Sequence, residues 1–289
     1  MQLIPFDNRD GYIWMNGSFI KWNDAKIHVL NHGLHYGSCV FEGVRVYERK
    51  IFKLNEHVER LFLSSNILDL KIPYTFEEIK DSVLEIVEKQ KIIDGYIRPV
   101  VWRGSEVMAI SSKNGSTNIA IAAWKWPSYF SPKQVLKGIT MTLADWTRPS
   151  PTSAPVNSKA AGLYMICSLS KHKAESNGFD DALMLDYRGF IAEATGANIF
   201  FVKDKKLFTP KADCFLNGIT RKTVIDIAKK LNISVLEKHL KPDFMKDCSE
   251  VFLTGTAVEI TPVRSIDDNI FQSREITKIL ISEFKKITS

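Results

Sequence analysis

Two short apolar-rich runs, Tyr12–Met15 and Ser18–Trp22, are separated by Asn16-Gly17. That pattern predicts a hairpin closed by a type I′ turn, because both residues tolerate positive φ. Val44–Tyr47 and Ile51–Leu54 flank the charged turn Glu48-Arg49-Lys50 and predict a second hairpin. Over Asn55–Leu70, Val58, Leu61, Phe62, Ser65 and Leu68 recur at helical spacing. Thr75-x-x-Glu78 is a capping box, opening a helix that turns Ile79, Val83, Ile86 and Val87 inward. The apolar runs Tyr96–Trp102 and Asn118–Trp124 predict sheet. Trp126–Pro132, with Pro127, Ser128, Ser131 and Pro132, breaks the pattern and reads as an interdomain linker. Beyond it come a strand over Gly138–Leu143, a Pro/Ser/Thr-rich loop from Arg148 to Ser158 and a helix over Ala160–Ala174. Strands follow at Ala182–Leu185, Phe190–Ala194 and Asn198–Val202, with a turn at Asp186–Gly189. A helix over Thr220–Leu231, a strand over Glu250–Thr254 and a closing helix over Ile276–Ile287 complete the pattern. Strands and helices in irregular order favour an α+β fold over regular βαβ winding. The organisation is a small N-terminal domain over 1–124, a connecting loop over 125–136 and a larger C-terminal domain over 137–289.

Composition narrows the class. Of 289 residues, 45% are hydrophobic and 25% charged, which is ordinary for a globular protein and permits two cores. No apolar run approaches the ~20 residues of a membrane helix, and the N-terminus shows no secretory signal. This leaves a cytoplasmic enzyme or binding protein. The net charge of +6 is spread along the chain, with dense pieces such as Lys203-Asp204-Lys205-Lys206 reading as solvated turns. A nucleic-acid protein calls for a basic stripe with interleaved aromatics or a known motif, and neither is present; a basic site for small anionic substrates or a phosphate fits the charge equally well. Cys39, Cys167, Cys214 and Cys248 share no ligand spacing and read as small buried residues, and the six histidines form no metal motif. No metal is expected.

Five groups of residues have chemical potential, each with an ordinary reading beside it. Asn217-Gly218-Ile219-Thr220-Arg221 opens a helix, where free amides hold phosphate, although on this motif alone ordinary N-capping by Thr220 is the favoured reading. Leu253-Thr254-Gly255-Thr256-Ala257 ends a strand in small hydroxylated residues that suit an anion, or a plain loop. Lys159 precedes the small residues Ala160-Ala161-Gly162, which let a ligand approach, yet most lysines are solvated. Glu193 lies in a strand-like run and either faces solvent by alternation, the default, or pairs with something buried. Arg60 on a helix and Arg98 in Tyr96-Ile97-Arg98-Pro99 read as a surface residue and an ion-pair partner.

The order of these pieces resembles one family. His32-Gly33-Leu34-His35-Tyr36-Gly37 followed by Val40-Phe41-Glu42-Gly43-Val44-Arg45 is similar to the opening signature of branched-chain amino-acid aminotransferases, of the fold type IV pyridoxal-phosphate group. Tyr96–Pro99, Lys159, Glu193 with Gly196 and Asn198, Gly218–Arg221 and Gly255-Thr256-Ala257 through Glu259–Arg264 follow in the family's order. The resemblance implies two domains of the D-amino-acid aminotransferase-like architecture, with pyridoxal 5′-phosphate at their interface. It implies that Lys159 joins the cofactor aldehyde and then serves as general acid and base, while Glu193 pairs with the pyridine nitrogen and therefore points inward. Tyr164 bonds the cofactor's 3′-oxygen. Arg60, the backbone of Gly218, Ile219 and Thr220, and Thr256 hold its phosphate.

For substrates, the resemblance implies L-leucine, L-isoleucine or L-valine with 2-oxoglutarate and L-glutamate. The α-carboxylate meets Thr256-Ala257 near Tyr36. Phe41, Trp126, Tyr129, Tyr164 and Ala257 make the apolar wall, and Arg98 with Tyr96 takes the distal carboxylate. Met108 matches a position that reaches a neighbouring subunit, implying a homodimer at least, with a hexamer open, and neither nucleic acid nor membrane as partner. Asn217, where relatives commonly carry Pro, is expected to loosen its turn, and Ala197 replaces a common acidic residue. D-Amino-acid aminotransferase and aminodeoxychorismate lyase are the alternatives within the group.

Overall fold

The computed structural model describes residues 4–126 and 137–288. They form two compact units, one of residues 4–126 with Ser158–Gly162, the other of 137–157 with 163–288. Short Ser158–Gly162 thus folds with the first unit although it lies far along the chain.

The first unit is an antiparallel sheet backed by two helices. Its strands are β1 (Tyr12–Met15), β2 (Ser18–Lys21), β3 (Cys39–Phe41), β4 (Val44–Tyr47), β5 (Lys50–Ile51), β6 (Gly95–Arg103) and β7 (Thr117–Lys125). They run in the order β2-β1-β7-β6-β4-β5, with β3 also paired to β6. A short helix α1 (His32–Tyr36) precedes β3, while α2 (Leu54–Ile67) and α3 (Phe76–Lys89) follow β5. Thr75 and Glu78 form the expected reciprocal capping box of α3. Val58 and Leu61 of α2, with Ile79, Val83 and Ile86 of α3, pack in one core with Ile97 and Val101 of β6 and Ile119 and Ile121 of β7. Alternation then sends Tyr96, Arg98 and Val100 to the sheet's other face. Arg98 stands opposite Ala122 there, so a small neighbour leaves it room.

The second unit is a mixed sheet. Its strands are β8 (Ile139–Leu143), β9 (Asp181–Leu185), β10 (Ile191–Ala194), β11 (Asn198–Lys203), β12 (Lys206–Pro210), β13 (Val235–Lys238), β14 (Glu250–Gly255), β15 (Glu259–Ile266) and β16 (Asn269–Ile270). The order is β10-β9-β8-β15-β14-β11-β12-β13, with β16 on β15. Its helices are α4 (Tyr164–Ser176), α5 (Ile219–Lys230) and α6 (Glu275–Thr288). Buried Glu250 of β14 accepts from the backbone N–H groups of Ile276 at 3.0 Å and Thr277 at 2.9 Å. A carboxylate at that helix N-terminus satisfies amides that no turn of the helix can reach.

Several expectations need correction. Ile51–Leu54 is not a strand: β5 is only Lys50–Ile51, and Leu54 already begins α2. Glu48 and Arg49 both adopt positive φ, so the turn is tight and the return strand is short. The helix expected from Ala160 starts at Tyr164, because Val40 and Ala160 form a β-bridge and Ala161–Leu163 make a 3-10 turn. Cys39–Phe41, Lys206–Pro210, Val235–Lys238 and Glu259–Ile266 are strands that the apolar pattern did not show. Asp204 and Lys205, with positive φ, turn the charged run into a hairpin between β11 and β12. All four cysteines are free; three are buried and Cys39 is half-buried.

Candidate active site

In the first unit Lys159 is fixed by its backbone on both sides. Its N–H donates to Ser64 Oγ of α2 at 3.0 Å, and its carbonyl accepts from the Phe41 N–H of β3 at 3.2 Å. Ser158 Oγ donates to the Ser64 carbonyl at 3.1 Å. The Lys159 Nζ stands 4.9 Å from the Phe41 ring centre, and the Arg98 guanidinium stands 4.6 Å from the same ring. Burial, aided by the positive charges of Arg60 and Arg98, lowers the Lys159 pKa to about 8. Loss of water disfavours the ammonium more than Glu42 restores it, so a neutral amine becomes accessible near neutral pH.

Beside Lys159 lies a buried ionic cluster that the sequence did not announce. Glu42 is fully buried and accepts from Arg60 Nε at 2.6 Å and Nη2 at 2.9 Å, a two-pronged pair. His57 Nδ1 lies 2.7 Å from Glu42 Oε2. Burial alone raises the Glu42 pKa, but Arg60 and His57 overcome it and hold the carboxyl far below the usual range. Burial lowers the His57 pKa despite Glu42, so the ring is neutral and donates its Nδ1–H. The result fixes Arg60 on α2. The signal was present as Glu42 in the opening motif and as the i, i+3 pair His57 and Arg60, but nothing in spacing showed that all three meet.

Tyr96 is buried and lies 5.4 Å from Arg98, with the Trp126 ring 5.7 Å away. Position 43 must be glycine: a Cβ there would meet Tyr96 Oη at 1.8 Å. Arg98, Trp124 and Trp126 line a cavity of about 650 Å³, and Arg98 also borders a second of about 600 Å³ lined by Cys39, Val100 and Trp102. Tyr36 ends α1 and is exposed, its ring 4.6 Å from His32. Tyr129 lies outside the described residues.

In the second unit Glu193 does not follow simple alternation to solvent. A register shift between Ile191 and Glu193 turns it. Arg148 Nε lies 3.4 Å from Glu193 Oε1, and Asn198 Nδ2 donates to Oε2 at 3.1 Å. Arg148 is buried; desolvation opposes its charge, but Glu193, Cys167 and Tyr164 outweigh this and raise its pKa. Arg148 was seen only as the start of a loop, so its link to Glu193 and Tyr164 was missed.

Helix α5 begins at Ile219, with Gly218 as its N-cap and no capping side chain. This corrects the expectation that Thr220 caps it. An uncapped first turn leaves N–H groups directed outward, as an anion site requires. Asn217 does not loosen the turn: its Oδ1 accepts from Arg221 Nη1 at 2.9 Å. Ala197 is buried, and its Cβ would lie 3.4 Å from a Cβ on Gly255, so a small side chain fits there. Thr256 and Ala257 form the turn between β14 and β15, both half-buried. Preceding them, Thr254 Oγ1 is buried without a hydrogen-bond partner among the described residues.

The structure thus gathers Phe41, Arg60, Tyr96, Arg98, Trp126 and Lys159 in the first unit, and Tyr36 on its α1. Tyr164, Glu193, Gly218, Ile219, Thr220, Thr256 and Ala257 belong to the second. Among the described residues, Asp186, Asp213 and Cys214 are the one group close enough to suggest a metal. Arg188 bridges Asp186 at 2.7 Å and Asp213 at 2.8 Å, so a guanidinium already supplies the cation.

Comparisons with known proteins identify the family. The family model for amino-transferase class IV matches residues 39–266. A probable branched-chain-amino-acid aminotransferase of Rickettsia bellii is 46% identical over 97% of each chain. The crystal structure of the Escherichia coli branched-chain amino acid aminotransferase superposes with a TM-score of 0.93 at 35% identity, covering 97% of this chain and 95% of that one. The T.th. branched-chain amino acid aminotransferase, complexed with N-(5′-phosphopyridoxyl)-L-glutamate, gives a TM-score of 0.92 at 36% identity, covering 97% and 94%. The chain belongs to the class IV aminotransferases, among the branched-chain-amino-acid aminotransferases.

Proposed function

We propose that this enzyme moves the amino group of L-leucine, L-isoleucine or L-valine to 2-oxoglutarate, giving the branched-chain 2-oxo acid and L-glutamate, with pyridoxal 5′-phosphate as cofactor. The observation that carries the reading is Lys159, held by Ser64 and Phe41 with its pKa lowered to about 8. The donor set fits the cofactor: an uncapped helix start for a phosphate, a carboxylate for a ring nitrogen, and an amine that becomes neutral near pH 8. When bound, pyridoxal 5′-phosphate supplies an aldehyde to carry the amino group and a ring to withdraw electrons from the substrate Cα.

The residues do the rest. Neutral Lys159 is the nucleophile and then carries a proton between the substrate Cα and the cofactor C4′. Glu193, oriented by Arg148 and Asn198, holds a proton at the ring nitrogen. Tyr164 donates to the 3′-oxygen. Arg60, the Gly218–Ile219–Thr220 backbone and Thr256 hold the phosphate. The Thr256-Ala257 turn and Tyr36 take the α-carboxylate. Phe41, Trp126, Tyr129, Tyr164 and Ala257 shelter an aliphatic side chain, and Arg98 with Tyr96 takes a distal carboxylate. The glutamate-derived ligand of the T.th. relative supports this second use of the pocket.

Two further parts of the reading concern the setting. A homodimer at least is supported by an apolar patch: Val29, Leu34, Met108 and Ile110 are exposed, and His32 joins their segments by bonding the Gly104 and Ala109 carbonyls. A cytoplasmic location is in keeping with four free cysteines. No helix among the described residues is long and apolar enough to cross a membrane.

The test is the visible spectrum of the purified protein with pyridoxal 5′-phosphate. L-Leucine should discharge the cofactor band and 2-oxoglutarate should restore it. Discharge by D-alanine alone, or pyruvate release from aminodeoxychorismate, would assign one of the sister activities. Arg98→Ala should lower kcat/KM for 2-oxoglutarate by roughly 30-fold or more, the cost of losing a charged partner, while leucine loses under about fivefold. Equal losses for both substrates in steady-state assays would remove Arg98 from the distal site.

A further inference from the structure

We infer that Asn198 is a positioning residue that couples the ring-nitrogen acid at 193 to the phosphate-binding turn at 218–220, an inference that rests on the roles proposed above for those residues. Asn198 is the first residue of β11 and is buried. Its Nδ2 donates to Glu193 Oε2 at 3.1 Å and to the Leu216 carbonyl at 3.0 Å. Its Oδ1 accepts from the Gly218 N–H at 3.1 Å. One side-chain amide therefore spends both N–H donors and its carbonyl on two different parts of the cofactor machinery.

The chemistry demands an amide of this length. Turning it over would set its carbonyl against the Glu193 carboxylate and its NH₂ against the Gly218 N–H, so the orientation is fixed. Aspartate would keep the acceptor for Gly218 but lose both donors and place a second carboxylate against Glu193. The fit is close: a Cβ on residue 218 would stand 2.3 Å from Asn198 Oδ1, so glycine is required for the approach. On the neighbouring residue, buried Arg221 grips Asn217 Oδ1 at 2.9 Å while bonding the Pro210 carbonyl at 2.9 Å and Glu237 at 2.7 Å. The segment 216–218 is thus clamped by Asn198 at both ends and by Arg221 in the middle. A displacement of the turn pulls on the same amide that orients Glu193.

The coupling predicts that two readouts move together when Asn198 is truncated and separate when only its donors are lost. The first readout is the ratio of affinities for pyridoxal 5′-phosphate and pyridoxal, measured by equilibrium dialysis, which isolates the phosphate's contribution. The second is the pH at which the bound cofactor's visible absorbance changes on acidification. Donation to a carboxylate favours its charged form, so losing the donor weakens the charged pair that this acid makes with the ring nitrogen. Asn198→Ala should lower the affinity ratio roughly tenfold and move the acid-side transition to higher pH. Asn198→Asp should lower the ratio only about threefold, since Gly218 keeps its acceptor while the Leu216 carbonyl loses its donor, and move the transition further still, because two carboxylates adjoin. Either readout staying at its wild-type value in Asn198→Ala, or both changing equally in Asn198→Asp, overturns the coupling. Should Asn198→Ala fail to fold by circular dichroism, the split in Asn198→Asp decides alone. A wild-type chain that binds no pyridoxal 5′-phosphate would instead sink the functional reading itself.

Discussion

Lys159→Ala is expected to abolish the cofactor's visible band and to lower transamination by more than about 10⁴-fold, because one side chain supplies both nucleophile and proton carrier. Pyridoxal 5′-phosphate should still bind, reversibly, through its phosphate. Mass spectrometry after borohydride reduction checks the covalent link: the wild-type chain gains the cofactor's mass on the peptide holding Lys159, and the variant gains nothing. A labelled peptide elsewhere would reassign the nucleophile. Lys159→Arg separates charge from chemistry. It keeps the positive group but never sheds its proton, so it should be as inactive as alanine.

The same residue sets a pH dependence. Burial first, then Arg60 and Arg98, bring its pKa from 10.5 to about 8. The rate of cofactor capture by the apo protein should therefore rise with pH and level off just above 8, where an ordinary lysine would still be gaining near 10. Stopped-flow absorbance from pH 6 to 10 checks this. In stability the sign is the usual one for a lowered lysine. The unfolded chain holds the extra proton between about 8 and 10.5, so the penalty that this buried ammonium puts on folding is full below that window and is relieved as pH rises across it.

How much of this was legible in the sequence depends on what kind of signal each residue emits. The capping box Thr75-x-x-Glu78 is local chemistry, and the helix begins where that chemistry says. The helical stripe of α2 and α3 and the hairpin at Asn16-Gly17 are equally local. β12, β13 and β15 were not seen, because Lys206–Pro210, Val235–Lys238 and Glu259–Ile266 owe their strand state to partners distant in sequence rather than to their own pattern. Lys159, Glu193 and the Gly218–Thr220 turn were singled out by residue type in context and by family resemblance. Arg148, His57 and Asn198's bonds were not, because a buried ion pair is a property of folding and leaves no periodic trace. Alternation misplaced Glu193 for a specific reason: a register irregularity in β10 breaks the period of two.

Glu42→Ala tests the cluster that resemblance alone did not assign. Glu42 is fully buried, with His57 and Arg60 bonded to its two oxygens. Removing it takes the bonded carboxylate away from a largely buried guanidinium, and such a change typically costs about 3–5 kcal/mol. Glu42→Gln should cost less, because one oxygen still accepts from Arg60 while the shape is kept, yet it loses the charge that fixes the pair. The two variants are compared by urea unfolding at pH 7, with fluorescence reporting. The wild-type advantage should shrink on acidification, since a carboxyl whose pKa is depressed on folding stabilises only where it stays ionised. An Ala variant as stable as wild type would mean that the ion cluster is balanced by its own desolvation. If Arg60 binds phosphate as proposed, both substitutions also weaken pyridoxal 5′-phosphate more than phosphate-free pyridoxal. Loss of stability with an unchanged preference between the two would confine Glu42 to holding the fold.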